Sequence, residues 1–129
     1  MKVDVKLENV CEEKKSFCNG CNSFFMRVRP HIKEIFVSKH FERDLKDKEE
    51  IKTIIKNILD CSHMEFHELH KFEEDVDGNL IFRAKKDKMH IIYCVDKKMR
   101  IIFLRAISNF DEYKNFLDDK KEIKKIIKI

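Results

Sequence analysis

The stretch Leu80–Tyr113 reads LIFRAKKDKMHIIYCVDKKMRIIFLRAISNFDEY, and its pattern is the strongest indication of the fold class. It contains three runs rich in β-branched and aromatic residues, separated by two short basic turns. Such runs predict three consecutive strands paired as an antiparallel meander. The predicted strands are Asn79–Lys85, Met89–Val95 and Met99–Ile107.

The residues before the meander predict one strand and two helices. Ile32–Val37 is a short apolar run, and Ser38 can cap a helix that carries Phe41 and Leu45 on one face. Asp47 can cap a second helix, in which isoleucine and leucine recur with a helical period from Ile51 to Leu59. This amphipathic stripe predicts a helix packed on the sheet.

The remaining segments complete the predicted order. Cys61–Asp77 is interpreted as irregular, and Asp77-Gly78 predicts a tight turn into the meander. Asn109 can cap a helix that carries Tyr113, and a last amphipathic helix is centred on Ile123 and Ile126. The predicted fold class is α+β in the order β-α-α-β-β-β-α, an antiparallel sheet with helices packed on one face.

At 129 residues the chain predicts one domain, from 31 to 129, preceded by an N-terminal extension over residues 1–30. The extension contains Cys11, Cys18 and Cys21. The Cys-x-x-Cys spacing is half of a zinc knuckle, with Cys11 as a third ligand and the fourth unassigned. A disulfide within this cluster and free cysteines are the alternatives. His67 and His70 form a second, weaker metal-binding pattern beside the interpretation of a solvated helix end.

Charge is distributed unevenly along the chain. The net charge is +4, from 28 Lys and Arg against 24 Asp and Glu. Glu65–Asp77 is acidic, whereas Arg83–Arg105 is basic and suits a phosphate backbone or, alternatively, a solvated strand face. Gly and Pro are scarce, which is typical of a thermophile, although an A·T-rich genome favours the same composition.

The hydrophobic pattern bears on location. No segment approaches about 20 apolar residues, so no transmembrane helix is predicted. The start, MKVDVKLENV, lacks the apolar core of a signal peptide. We therefore expect a cytoplasmic protein with no membrane partner.

The element order and a few residues resemble the RelE/ParE superfamily of toxins from type II toxin–antitoxin systems. The entry IFVSKHFERDLKD, the helix EEIKTIIKNIL and the meander FRAKKDKMHIIYCVD carry the resemblance. Tyr93 matches the tyrosine of the family's middle-strand motif, and His90 stands where arginine is usual. Tyr113 resembles the tyrosine that follows the last strand. The resemblance covers residues 31–117 and leaves 1–30 unexplained.

The resemblance implies a ribosome-dependent mRNA interferase, an endoribonuclease that needs no metal or other cofactor. His90 is the expected acid or base, because histidine titrates near neutral pH. Arg83 is the expected phosphate clamp and Tyr113 the expected stacking or proton-donating group. The set of further RNA-contacting candidates is Lys85, Lys86, Lys88 and Arg105. The implied partners are a cognate antitoxin, the ribosome and mRNA.

One departure from the family keeps other functions open. No arginine follows Arg105, where the family's ribonucleases often place one. A non-enzymatic, ParE-like toxin that binds a protein target, or a catalytically degenerate relative, is the first alternative. A small zinc- or nucleic-acid-binding module built on the N-terminal cysteines is the second.

Overall fold

The computed structural model describes residues 1–4, 34–60 and 69–127. Within these ranges the fold class is α+β, as predicted, with a mixed sheet of five strands and four helices. In chain order the elements are β1 (Glu34–Val37), α1 (Lys39–Leu45), α2 (Lys48–Leu59), β2 (His70–Val76), β3 (Asn79–Lys86), β4 (Met89–Val95), β5 (Arg100–Ile107), α3 (Phe110–Asp118) and α4 (Lys120–Ile127).

The strands lie in the order β1-β5-β4-β3-β2. The predicted meander β3-β4-β5 is confirmed, and its strands pair antiparallel. The prediction of a purely antiparallel sheet is wrong, because β1 runs parallel to β5 with Glu34 opposite Arg100. Helices α1 and α2 and the other strands separate β1 from β5, and a connection of that length permits parallel pairing.

Strand β2 corrects the prediction that Cys61–Asp77 is irregular. It pairs antiparallel with β3 through a two-residue turn at Asp77 and Gly78, whose φ angles are 53° and 87°. Positive φ at both turn residues is the geometry that an Asp-Gly hairpin favours, so the predicted turn is confirmed. A register shift between Phe72 and Glu74 breaks the alternation of this strand, and the acidic residues beside it hide the strand pattern.

The helices cover both faces of the sheet, so the prediction that they pack on one face is wrong. Helices α1 and α2 pack Phe41, Ile51 and Ile55 against one face of the sheet. Helices α3 and α4 pack Phe116 and Ile123 against the other. The central strands are apolar at both alternating sets of positions, and each set therefore needs its own covering layer.

The predicted helix caps are confirmed. The Ser38 hydroxyl accepts a hydrogen bond from Phe41 N at 3.0 Å and donates to Leu104 O at 2.8 Å. The Asp47 carboxylate accepts from Glu49 N, and the Asn109 side chain accepts from Glu112 N. Each cap satisfies a backbone donor that the first turn of a helix leaves without a partner.

Beside β1, the start of the chain extends the sheet. Val3 N donates to Ile35 O at 2.8 Å, and the Val3 side chain is buried in the core that α1 and α2 share. The rest of the predicted extension, with its three cysteines, lies outside the described residues. None of the helices that the structure describes has the length and hydrophobicity needed to cross a bilayer.

Candidate functional site

The sheet brings the main predicted site residues together on the face covered by α3. Lys85 pairs directly with His90, and Arg83 pairs with Ile92. Residues directly opposite each other in an antiparallel pair point to the same face, so the two cations and the imidazole share one surface. Tyr113, from α3, packs onto that surface. We call the group formed by Glu73, Arg83, Lys85, His90 and Tyr113 the His90 cluster.

His90 lies at the centre of the cluster and is 6 % exposed. Its ring stacks on Tyr113 with the centroids 4.4 Å apart and meets the edge of Phe110 at 6.1 Å. Burial, together with the charges of Arg83 and Lys85, lowers the pKa of His90. The imidazole is therefore mainly neutral at neutral pH and able to accept a proton. Among the described residues, its buried Nδ1 has no hydrogen-bond partner.

Tyr113 is fixed from β2. Its hydroxyl donates to Glu73 Oε1 at 2.8 Å, and its ring is 1 % exposed. Burial and the Glu73 carboxylate raise the pKa of Tyr113 to about 12. Because its buried ring already stacks on His90, Tyr113 has no open face on which a nucleobase could stack. The geometry therefore gives Tyr113 the role of positioning His90.

Arg83 lies beside both Glu73 and Tyr113. Its Nε is 3.8 Å from Glu73 Oε1, an ion pair that is too long for a hydrogen bond, and its guanidinium carbon is 5.8 Å from the centre of the Tyr113 ring. The buried Nε has no hydrogen-bond partner within the part of the chain that the structure describes. The Arg83 side chain as a whole is 24 % exposed, so an incoming anion can reach the guanidinium although Nε itself is enclosed.

The rim of the cluster is exposed and basic. Lys85 and Lys88 are exposed at the hairpin between β3 and β4. Phe110, at the start of α3, is 55 % exposed, and the Lys114 ammonium lies 5.6 Å from its ring centre. Phe110 was not among the predicted site residues, although its position directly after the capping Asn109 was a usable signal. An exposed aromatic ring beside cations is a typical contact for a nucleobase.

Two predicted residues lie away from the cluster. Lys86 alternates onto the opposite face of β3, where its partner is Met89. Arg105 bonds Asp44 at 2.8 Å and 3.2 Å and Glu112 at 3.2 Å. The hydrogen bond to Asp44 raises the pKa of Arg105, and this guanidinium links α1, β5 and α3.

The predicted zinc ligands Cys11, Cys18 and Cys21 lie outside the described residues. Within 1–4, 34–60 and 69–127, no group of three His, Cys, Asp or Glu side chains is arranged to hold a metal. Of the weaker histidine pattern, His67 lies outside the described residues. His70 begins β2, where its Nε2 lies 2.7 Å from Ile58 O and its Nδ1 contacts the Tyr93 hydroxyl. Cys94 is buried, and burial raises the pKa of its thiol to about 12.

Comparisons with models of protein families, with curated proteins and with solved structures give no significant match. Function is therefore inferred from the His90 cluster itself and from the resemblance in element order and residues described above.

Proposed function

We propose that this protein is an RNA-cleaving toxin of the RelE-like type, acting on mRNA at the ribosome. The observation that carries the proposal is the pairing of Lys85 with His90 and the placing of Arg83 on the same sheet face. A largely neutral imidazole between two cations suits the cleavage of a phosphodiester without a metal.

The chemistry follows from the roles of these side chains. In internal cleavage the 2′-oxygen attacks the adjacent phosphorus, the bond to the 5′-oxygen breaks, and a 2′,3′-cyclic phosphate and a 5′-hydroxyl result. His90 accepts the proton of the 2′-hydroxyl, and Arg83 and Lys85 stabilise the charge on the phosphorane oxygens. Because Nδ1 is enclosed, Nε2 is the ring nitrogen that meets the substrate. Solvent returns a proton to the leaving oxygen.

The surroundings of His90 support substrate positioning. Phe110 offers an exposed ring for a base next to the scissile phosphate, and Lys85 and Lys88 attract the backbone. A ribosome that holds the message in place supplies orientation that so small a site lacks. We propose the ribosome and mRNA as the partners of this surface, and an acidic antitoxin segment laid over Lys85 and Phe110 as its inhibitor.

The test is induced expression in a bacterial host, followed by primer extension on translated messages. The wild type is compared with His90→Ala and with the control His40→Ala, whose side chain lies on α1 and is 38 % exposed. Cleavage within translated codons that His90→Ala abolishes and His40→Ala retains is the expected result. Cleavage that persists in His90→Ala removes His90 from the chemistry and contradicts the proposal.

One observation favours a second candidate, a non-enzymatic toxin of the ParE type that binds a protein target. All three arginines of the basic strands already lie beside carboxylates of this chain: Arg83 beside Glu73, Arg100 beside Asp96 and Arg105 beside Asp44. Growth arrest that is equal for the wild type and His90→Ala, without RNA cleavage, would establish this alternative. The third candidate, a zinc- or nucleic-acid-binding module, depends on the N-terminal cysteines, and stoichiometric zinc without toxicity would establish it.

A further inference from the structure

We propose that Glu73 is an internal competitor of the RNA phosphate: it pairs with Arg83 until a phosphate oxygen replaces its carboxylate as the partner of Arg83. The inference rests on the proposed function, because it assumes that Arg83 meets a phosphodiester. It assigns a role to a residue of the acidic segment, which the sequence analysis did not connect with the basic strands.

The irregularity in β2 is the structural basis. Phe72 is opposite Phe82 and Glu74 is opposite Ile81, so Glu73 is the extra residue of a β-bulge. In a regular strand, two consecutive side chains point to opposite faces. Here Glu73 contacts Arg83 and Tyr113, while Glu74 contacts Lys120 of α4. Both carboxylates therefore point to the face that carries α3 and α4, and the bulge aims Glu73 at the His90 cluster.

The contact between Glu73 and Arg83 is loose, whereas that between Glu73 and Tyr113 is tight. The ion pair measures 3.8 Å and involves Nε, a buried donor with no hydrogen-bond partner among the described residues. The Tyr113 hydroxyl holds the same Oε1 at 2.8 Å. A phosphate oxygen at hydrogen-bonding distance gives Arg83 a shorter, charge-assisted contact than Glu73 does. Arg83 can thus exchange partners while Tyr113 keeps Glu73 in place.

The ion pair between Glu73 and Arg83 also lowers the net positive charge of the His90 cluster before RNA binds. The Glu73 carboxylate offsets one of the two positive charges of Arg83 and Lys85. Anions without the shape and further contacts of a bound RNA then face a weaker attraction. We infer that Glu73 reduces the affinity of the site for phosphate in general.

The experiment compares two neighbouring substitutions, Glu73→Gln and Glu74→Gln. They remove the same charge from adjacent residues of one strand, but only Glu73 is next to Arg83. The probe is a fluorescein-labelled 2′-O-methyl RNA decamer, which binds without being cleaved, and the readout is fluorescence anisotropy at several salt concentrations. We expect Glu73→Gln to tighten binding by about threefold or more, in line with a partly buried ion pair, and Glu74→Gln to change it less.

Two further variants separate competition from general electrostatics. In an Arg83→Gln background, Glu73→Gln is expected to give no gain, because the competition has been removed. In a Tyr93→Phe background, Tyr113 is the remaining tyrosine of the chain's two, and its absorbance titration checks the local effect of the charge. Glu73→Gln should shift that titration to lower pH, and Glu74→Gln should shift it less.

Several results would overturn the inference. Equal gains in Glu73→Gln and Glu74→Gln would mean that only net charge matters, and weaker binding in Glu73→Gln would mean that Glu73 positions Arg83 for RNA. A gain that survives in the Arg83→Gln background, or no RNA binding by any variant, would also overturn it. Failure of the proposed function appears differently: a gain that depends on Arg83, together with no message cleavage by the wild type, retains the competition and rejects the nuclease.

Discussion

Asp44→Ala tests whether Arg105 serves the fold rather than the substrate. Asp44 lies on α1. Its carboxylate reaches β5 just beyond Phe103, the residue that pairs with Val37 at the end of β1. Its carboxylate accepts from Arg105 Nε at 2.8 Å, from Arg105 Nη2 at 3.2 Å and from Ala106 N at 2.9 Å. The substitution removes all three hydrogen bonds at once. Arg105 Nη2 keeps Glu112 as an acceptor, whereas Arg105 Nε and Ala106 N lose the Asp44 carboxylate.

The expected loss follows from these contacts. Hydrogen bonds to a charged group are worth about 1.5–3 kcal/mol each when a partner is removed, and they are not additive when they share one carboxylate. Arg105 keeps Glu112 at 3.2 Å, which offsets part of the loss. We therefore expect the free energy of unfolding to fall by about 2–3 kcal/mol. For a domain of this size that corresponds to a fall in Tm of roughly 6–15 °C.

The assay is urea unfolding followed by circular dichroism. Asp111→Ala is the matched control, because Asp111 is an exposed carboxylate in the first turn of α3, and it should cost less than about 0.5 kcal/mol. A loss below about 1 kcal/mol for Asp44→Ala would refute the structural role of the pair. So would full additivity of Asp44→Ala and Arg105→Gln, since each substitution alone already breaks the same contact.

Three further predictions concern the cluster and its support. Burial lowers the pKa of His90 below its ordinary 6.5, so unfolding takes up a proton just below that pH. The free energy of unfolding of the wild type should therefore fall as the pH drops through 6.5, and the urea midpoint of His90→Gln should fall less over the same range. Parallel plots of urea midpoint against pH for the two proteins would contradict this. Gly78→Ala should lower the free energy of unfolding by about 1 kcal/mol or more, because φ is 87° and the new Cβ meets the Lys97 side chain. Adding Lys97→Ala should restore part of that loss. An unchanged urea midpoint in Gly78→Ala would contradict this prediction. Phe110→Ala should weaken binding of the RNA decamer by about 1–3 kcal/mol, whereas substitution of Phe72, which is also exposed but lies on β2, should not; equal effects of Phe110→Ala and Phe72→Ala would remove Phe110 as a nucleobase contact.

The parts of the fold that depend on local pattern could be predicted from the sequence. The helix from Ile51 to Leu59 follows from its apolar stripe, and the meander follows from its strands and turns. The caps at Ser38 and Asp47 need only a side chain next to the first turn. These features involve residues a few positions apart, where propensity and hydrogen bonding act directly.

The predictions that were wrong concern features that depend on contacts between residues far apart in the chain. Strand β2 is stabilised by distant residues, since Glu73 contacts Tyr113 and Glu74 contacts Lys120, each about forty residues later in the chain. A bulge breaks its alternation, so no period of two appears in the sequence. The second helical layer did leave a signal: β4 is apolar at both sets of alternating positions, which indicates a strand buried on both faces.

Part of the candidate site could likewise be predicted from the sequence, and part could not. The pairing of Lys85 with His90 follows from the hairpin turn, and the choice of Arg83 follows from strand alternation. The stacking of Tyr113 on His90 requires α3 to return over the sheet, whereas the resemblance implied only that Tyr113 is a stacking or proton-donating residue of the site. Glu73 could not be found without the bulge, because a regular β2 gives no reason for two adjacent glutamates to share one face.

The parallel pairing of β1 with β5 has a consequence for the order in which the protein acquires its structure. Ser38 and Leu104, which the β1–β5 contact brings together, are 66 residues apart in the chain. At a synthesis rate of about 5–20 residues per second, roughly 3–13 seconds pass between the two on the ribosome. The hairpins from β2 to β5 close over short loops and can form as soon as they emerge, whereas β1 and the buried side of α1 have no sheet to join until β5 is complete. The first strand of the sheet is thus the last to join the other four strands, and any pause in translation before Ile107 prolongs the exposure of Val37 and Phe41 to other chains.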